Sequence, residues 1–199
     1  MIRVIGFISG VLLAANVNAL PLLINGGFED LGGNVVSGNW SYFNALPGWN
    51  GVNNIEVQKD GFLADGFGSY YVELNAHPAQ NASFELHSDA FLTIPNQEYT
   101  LSFFAQKRSG NDGSFTVTVD GFSQVVNSHV TGSFNQFTYN FIGTGALTSV
   151  TFISGQGGND TVGHFLDDIS LSAVPEPGGL LLLASGLLGI FRGQRKRKQ

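Results

Sequence analysis

Among the side chains able to do chemistry here, Asp167 occupies the most demanding position. In Phe165-Leu166-Asp167-Asp168-Ile169-Ser170-Leu171 a period of two puts Asp167 on the side of Phe165, Ile169 and Leu171, the apolar side, and Asp168 on the outward side. A carboxylate turned into an apolar layer is costly unless something pairs with it, so either a cation or a set of backbone amides must face Asp167. Catalytic signals are poor by comparison. The chain has no Cys, no Gly-x-Ser-x-Gly and no His-Glu-x-x-His, and His77, His87, His129 and His164 lack metal-ligand spacing, so each His reads as a surface polar group. Glu73 and Glu85 are of the type that glycosidases hold roughly 5 to 9 Å apart, but with so many acids in the chain a coincidental pair is expected. Trp40, Tyr42, Trp49 and Tyr71 carry flat apolar faces that could stack on sugar rings, and the same large rings are what a β-sandwich needs inside.

The elements that would position these residues are strands. Tyr70, Val72 and Leu74 alternate with Tyr71, Glu73 and Asn75; Tyr99, Leu101, Phe103 and Ala105 alternate with Thr100, Ser102, Phe104 and Gln106. Phe115-Val117-Val119, Phe137-Tyr139-Phe141 and Phe165-Ile169-Leu171 repeat the pattern, with Asn and Gly clusters at Asn53-Asn54, Asn111-Asp112-Gly113 and Gly155 to Asn159 as punctuation. About eight to ten short strands with alternate positions buried predict an all-β fold, an antiparallel two-sheet sandwich of jelly-roll type. With no Cys, nothing in it rests on disulfides or thiolate metal sites.

Charge is distributed unevenly. Between Leu20 and Ala173 the basic residues are Lys59, Lys107 and Arg108, against fourteen Asp and Glu. A body near −11 repels nucleic acid and anionic lipid and attracts divalent cations. Arg3 followed by the apolar Val4 to Ala15 and by Val17-Asn18-Ala19 has the form of a signal peptide over residues 1–19, with cleavage expected after Ala19 and a β-sandwich domain over 20–173. At the other end, Pro175 and Pro177 lack backbone donors and keep the Val174 to Pro177 stretch extended and accessible. Gly178 to Phe191 carries no charge and reads as a short transmembrane helix of ~21 Å against a ~30 Å hydrocarbon core. Arg192, Arg195, Lys196, Arg197 and Lys198, in the basic tail 192–199, would hold its end on the cytoplasmic side.

This order over 174–199, with Val174-Pro175-Glu176-Pro177 in the recognition stretch 174–179, an apolar helix over 178–191 containing Ala184, Ser185, Gly186 and Gly189, and a basic end, resembles the PEP-CTERM sorting signal of Gram-negative bacteria. The resemblance implies an exosortase as partner, passage through the inner membrane on a removable anchor, and delivery to the cell surface or an exopolysaccharide matrix. A plain anchor would explain the helix and tail but not Pro175-Glu176-Pro177.

The body has its own likeness. Leu23-Ile24-Asn25-Gly26-Gly27-Phe28-Glu29, Leu46-Pro47-Gly48-Trp49, Gly68 to Leu74, Tyr99 to Phe103 and Phe165 to Leu171, in that order, resemble the galactose-binding-like jelly rolls of carbohydrate-binding modules. In that family the opening Asn-Gly-x-Phe-Glu and the closing Asp-Asp-Ile often meet around a structural calcium, which would make Glu29, Asp167 and, less directly, Asp168 the ligands; calcium takes six to eight oxygens and could tie the first strand to the last. The alternative is that Glu29 is a solvated turn residue and Asp167 bonds amides. Gly155 to Val162 resembles one copy of the glycine-rich calcium nonapeptide, but such rolls need stacked repeats, and the segment reads as a loop. The sequence thus predicts an exported, non-catalytic surface or matrix protein that binds extracellular polysaccharide; a purely structural matrix protein and, less so, a polysaccharide hydrolase are the other readings.

Overall fold

The computed structural model describes residues 21–75, 83–109, 113–155 and 161–175. The signal peptide expected at 1–19, Glu176, Pro177, the transmembrane helix expected at 178–191, the basic tail, His77 and residues 156–160 of the glycine-rich stretch lie outside them. Leu20–Val174 forms one compact unit.

The described residues are all-β, in twelve strands: β1 Trp40–Leu46, β2 Trp49–Lys59, β3 Tyr70–Leu74, β4 Glu85–Ser88, β5 Phe91–Leu92, β6 Glu98–Lys107, β7 Phe115–Val119, β8 Phe122–Val126, β9 Asn135–Ile142, β10 Leu147–Thr148, β11 Thr151–Ser154 and β12 His164–Ala173. Local chemistry sets the hairpins. Pro47-Gly48 links β1 to β2 with Gly48 at φ +81, as a two-residue turn with Pro first and Gly second requires, and Asp120-Gly121 links β7 to β8 with both residues at positive φ.

Two separate sheets were expected; instead ten strands form one hydrogen-bonded sheet, and β5 pairs with β10 in a small second one. The sheet branches at β2. One edge of β2 pairs with β1, while the other is shared, Trp49–Val52 pairing with β4 and Glu56–Lys59 with β3. Asn53 and Asn54, which the sequence pattern reads as punctuation between strands, lie inside β2 at φ +66 and +79, where Asn tolerates the left-handed region and lets the strand bend. The leaf β4-β11-β7-β8 and the leaf β3-β12-β6-β9 therefore diverge from one strand and close on each other as a sandwich.

Between the leaves Phe103 of β6 meets Phe152 of β11 at 5.0 Å and Phe115 of β7 at 6.1 Å, and Phe122 of β8 meets Tyr139 of β9 at 5.6 Å. Leu101, Phe103, Ala105, Val117, Leu166 and Leu171 are fully buried in this layer. Each such large side chain contributes about 1.5–3 kcal/mol by leaving water.

Asp167 is also fully buried, but not for the reason its parity suggests. On β12, Leu166 pairs with Ala105 and Asp167 with Phe104, then the register shifts before Ser170 pairs with Ser102 and Leu171 with Leu101. Asp168, at φ +47, occupies this bulge and reverses the alternation. Leu166 and Leu171 face the sandwich core, whereas Phe165 and Asp167 face the opposite side of the leaf. That side has its own aromatic layer, in which Tyr71 lies 5.0 Å from Phe165 and 5.9 Å from Phe134, and Phe67 lies 4.2 Å from Phe104.

Candidate functional site

The outer face of the second leaf, extended through β2 to β1, gathers most of the residues with chemical potential. Directly paired residues of antiparallel strands project to the same side, so Trp40 joins Gln58, Tyr42 joins Glu56, and Glu56 joins Glu73. Trp40 and Tyr42 are 37% and 47% exposed, and their rings stack at 6.5 Å with 28° between planes. They form a flat aromatic step on the edge strand, open to solvent and backed by a polar row. Of the other rings singled out by sequence, Trp49 and Tyr71 are fully buried and offer no face to a ligand. Trp49 packs 5.4 Å from Phe28 and donates its indole N–H to the Asn25 carbonyl at 3.0 Å. The Tyr71 hydroxyl accepts the amides of Leu63 and Ala64, and burial pushes its pKa up to about 12.

The polar row is buried and almost fully paired. Gln58 donates through Nε2 to Glu56 at 2.6 Å and to Glu73 at 2.8 Å, while its Oε1 has no partner. Glu73 takes 3.1 Å contacts from Arg108 Nη1 on both oxygens and the Gly163 amide at 2.8 Å. Burial and the neighbouring Glu56 raise its pKa to about 7 against the pull of Arg108. Glu85, which lines one small cavity together with Glu73, is bonded at 2.8 Å to His87, which also bonds Thr151.

Glu29 and Asp167 grip the loop between β2 and β3. Glu29 Oε1 accepts the amides of Ser69 at 2.8 Å and Tyr70 at 3.0 Å; Asp167 accepts those of Phe67 and Asp168, both at 2.7 Å. The glycines of that loop are needed for the grip, because a Cβ on Gly66 would stand 2.7 Å from Asp167 Oδ2 and one on Gly68 2.3 Å from Glu29 Oε1. The opening and closing segments do meet, with Ile169 donating to the Gly26 carbonyl at 2.9 Å. Burial raises the Asp167 pKa to about 7, the two amides oppose this, and the fields of Asp168 and Glu29 add to it. Backbone amides thus occupy the two carboxylates to which the family likeness assigns calcium, and among the described residues no group of three or more His, Cys, Asp or Glu side chains gathers to hold a metal.

Two features escaped the sequence reading. His129 and His164, expected at the surface, are buried and bonded at 2.7 Å against Phe115. Burial, with Lys107 adding to it, lowers the His164 pKa to about 4, so His164 is neutral at pH 7. The Glu56-Gln58-Glu73-Arg108 cluster was also missed; its signal is that β2 and β3 are buried on both faces, which polar residues at alternate positions disguise as a solvated side.

None of the curated proteins matches the chain. Among solved structures, the fold is similar to the enzymatically active domain of bacteriophage CBA120 tailspike protein 4 (TM-score 0.50, 16% identity, 77% of this chain and 21% of that one). It is similar also to an arabinose-bound α-L-arabinofuranosidase (TM-score 0.50, 13% identity, 77% of this chain and 26% of that one). The chain thus spans about a fifth to a quarter of these two proteins, and at such identities the likeness shows the fold alone. A family 4 carbohydrate-binding module is matched over 76% of this chain and 99% of its own length, at TM-score 0.47 and 18% identity. Residues 173–197 match the PEP-CTERM protein-sorting motif, so the chain is an all-β body followed by a PEP-CTERM sorting signal.

Proposed function

We propose that this chain is an exported protein that an exosortase sorts, through Val174-Pro175-Glu176-Pro177, to the cell surface or extracellular matrix, and that its jelly-roll-like body binds polysaccharide there without cleaving it. The observation that carries the binding half is the exposed Trp40–Tyr42 stack on edge strand β1. Two rings 6.5 Å apart and inclined by 28° offer an aromatic edge to the apolar faces of pyranose rings, and they cost little to order because β1 holds them. The non-catalytic part is supported by the commitments of the carboxylates. Glu73 spends both oxygens on Arg108, Gly163 and Gln58, and Glu85 is engaged by His87.

Calcium enters this reading as a structural ion that Glu29 and Asp167, with Asp168, would hold. In its favour stand the burial of Asp167 and the proximity of two further carboxylates; against it stand the four amides that already serve Glu29 and Asp167. The ion would neutralise the site and pin the first segment to the last.

The two halves are tested separately. Glu176→Ala should leave uncleaved protein in the membrane while export persists, and equal release of mutant and wild type would overturn the sorting half. A glycan array probed with residues 20–174 should show binding to a polysaccharide class, and an array with no signal would overturn the binding half in favour of a purely structural matrix protein.

A further inference from the structure

The end of the sandwich from which the chain leaves toward the sorting signal carries an apolar surface that the proposed function does not use. Leu92 and Leu147 are directly paired across β5 and β10 and are 64% and 72% exposed. Ile94, two residues beyond Leu92 with buried Thr93 between them, is 62% exposed. The two segments that build this surface, Phe91-Leu92-Thr93-Ile94-Pro95-Asn96-Gln97 and Phe141-Ile142-Gly143-Thr144-Gly145-Ala146-Leu147-Thr148, contain no charged residue, in a body that is otherwise strongly acidic. Asp120 braces them from the β7–β8 turn, accepting from Thr93 at 2.7 Å and from the Thr144 amide at 2.8 Å. The surface is therefore held rigidly outward. Contiguous exposed aliphatics of this kind mark a contact surface.

Position says what the contact is. Val174 donates its amide to the Glu98 carbonyl at 2.8 Å and its carbonyl accepts from Gln97 Nε2 at 2.7 Å. Gln97 donates its amide to Ile94, Asn96 donates to Gly143, and Gly143 donates back to Gln97. The last strand thus ends against the turn that presents Ile94. From Val174 to Leu180, where the apolar run of the sorting signal begins, there are six residues, a reach of roughly 20 Å at most.

We propose that, before the anchor is removed, this Leu92–Ile94–Leu147 surface rests on the lipid bilayer, docking the body on the membrane and presenting Pro175-Glu176-Pro177 at the interface. The inference rests on the reading of 178–191 as a membrane anchor. The occupant is lipid because the short tether confines this end near the bilayer and because uncharged aliphatic side chains insert into the interfacial region at no electrostatic cost. The acidic remainder of the body is repelled by anionic headgroups, so contact should favour zwitterionic lipid.

The chain has no Cys, so a single introduced thiol labels one position. Full-length precursor is reconstituted into phosphatidylcholine vesicles with a fluorophore at L92C, L147C or T131C; Thr131 bridges Lys107 at the far end of β6 and is exposed. Flotation reads the anchor, and quenching by headgroup nitroxide reads the docking. The expected result is flotation of all three, quenching at 92 and 147 at least about twofold stronger than at 131, loss of that excess at 92 when I94D and L147D are introduced, and weakening when phosphatidylglycerol is added. Equal quenching at the three positions in floating vesicles, or strengthening by phosphatidylglycerol, overturns the docking while leaving the anchor intact. Quenching at 92 and 147 that arises only when an exosortase is co-reconstituted also overturns it, making the contact a protein one. Precursor that does not float overturns both. Unchanged far-ultraviolet circular dichroism of each variant establishes that the fold is retained.

Discussion

Replacing Asp167 with Asn distinguishes the two ways in which a buried carboxylate can be kept. The folded-state pKa of about 7 lies above the ordinary 3.8, with burial as the main cause. In the window between those values the native state holds a proton that the unfolded chain releases, so the stability present below pH ~4 is lost as pH rises to ~7. At ~1.4 kcal/mol per unit, about three units set an upper bound near 4 kcal/mol, on the order of 10 °C in Tm for a domain of this size. Asn cannot titrate, and its single acceptor oxygen cannot serve both the Phe67 and the Asp168 amides, which costs about 1–3 kcal/mol at all pH values. In chelator, the wild type should therefore lead the mutant at pH 4 and lose that lead by pH 8, as read by urea melts of residues 20–174 at five pH values. Taking wild type minus mutant cancels His164 and Glu73, which titrate in both. Millimolar calcium reverses the trend if it binds, because a cation lowers the Asp167 pKa and makes the wild type gain on the mutant as pH rises. A wild-type-minus-mutant difference that is flat with pH in chelator would refute the buried, protonatable Asp167, and identical curves with and without calcium would remove the metal.

Gly66→Ala forces a Cβ to within 2.7 Å of Asp167 Oδ2 and 3.2 Å of Tyr71, and should cost about 1–3 kcal/mol in the same melts. Arg108→Ala leaves Glu73 buried without its counter-charge; the guanidinium is about a third exposed, so the discounted loss is ~1–3 kcal/mol at pH 8 and smaller at pH 5, where Glu73 takes a proton instead. His164, with a folded pKa of about 4 below the ordinary 6.5, should show no imidazole shift by NMR until pH falls below ~5; its own contribution to stability, read as wild type minus His164→Asn so that the opposite trends of Asp167 and Glu73 cancel, should decline as pH drops from 6.5 toward 4 because only the unfolded chain gains the proton there.

Strand periodicity was legible where residue types alternate along the chain, whether or not the second face is buried. The alternations at Tyr70–Leu74, Phe115–Val119 and within Glu98–Lys107 became β3, β7 and β6 with few changes of boundary. Parity failed at Asp167 because alternation holds only while the ladder is unbroken, and one residue in the left-handed region at Asp168 inverts it; an Asp-Asp pair is compatible with such a bulge but does not announce it. The branching of the sheet was hidden for a related reason, since Asn53-Asn54 has the composition of a turn and serves as a bend within a strand. For the site, type of residue was a poor guide to exposure. Trp40 and Trp49 are the same residue nine positions apart, and only the pairing of Trp40 on an edge strand leaves its ring accessible while Trp49 fills the layer beside Phe28.

Affinity electrophoresis of the residues 20–174 body through gels containing extracellular-matrix polysaccharide decides whether the Trp40–Tyr42 edge binds glycan. On this account the wild type is retarded, Trp40→Ala with Tyr42→Ala removes at least about nine-tenths of the affinity, and the melting temperature of this double variant stays within a few degrees, because both rings lie on the edge strand and are already 37% and 47% exposed. Retardation that persists unchanged in the double variant would contradict it.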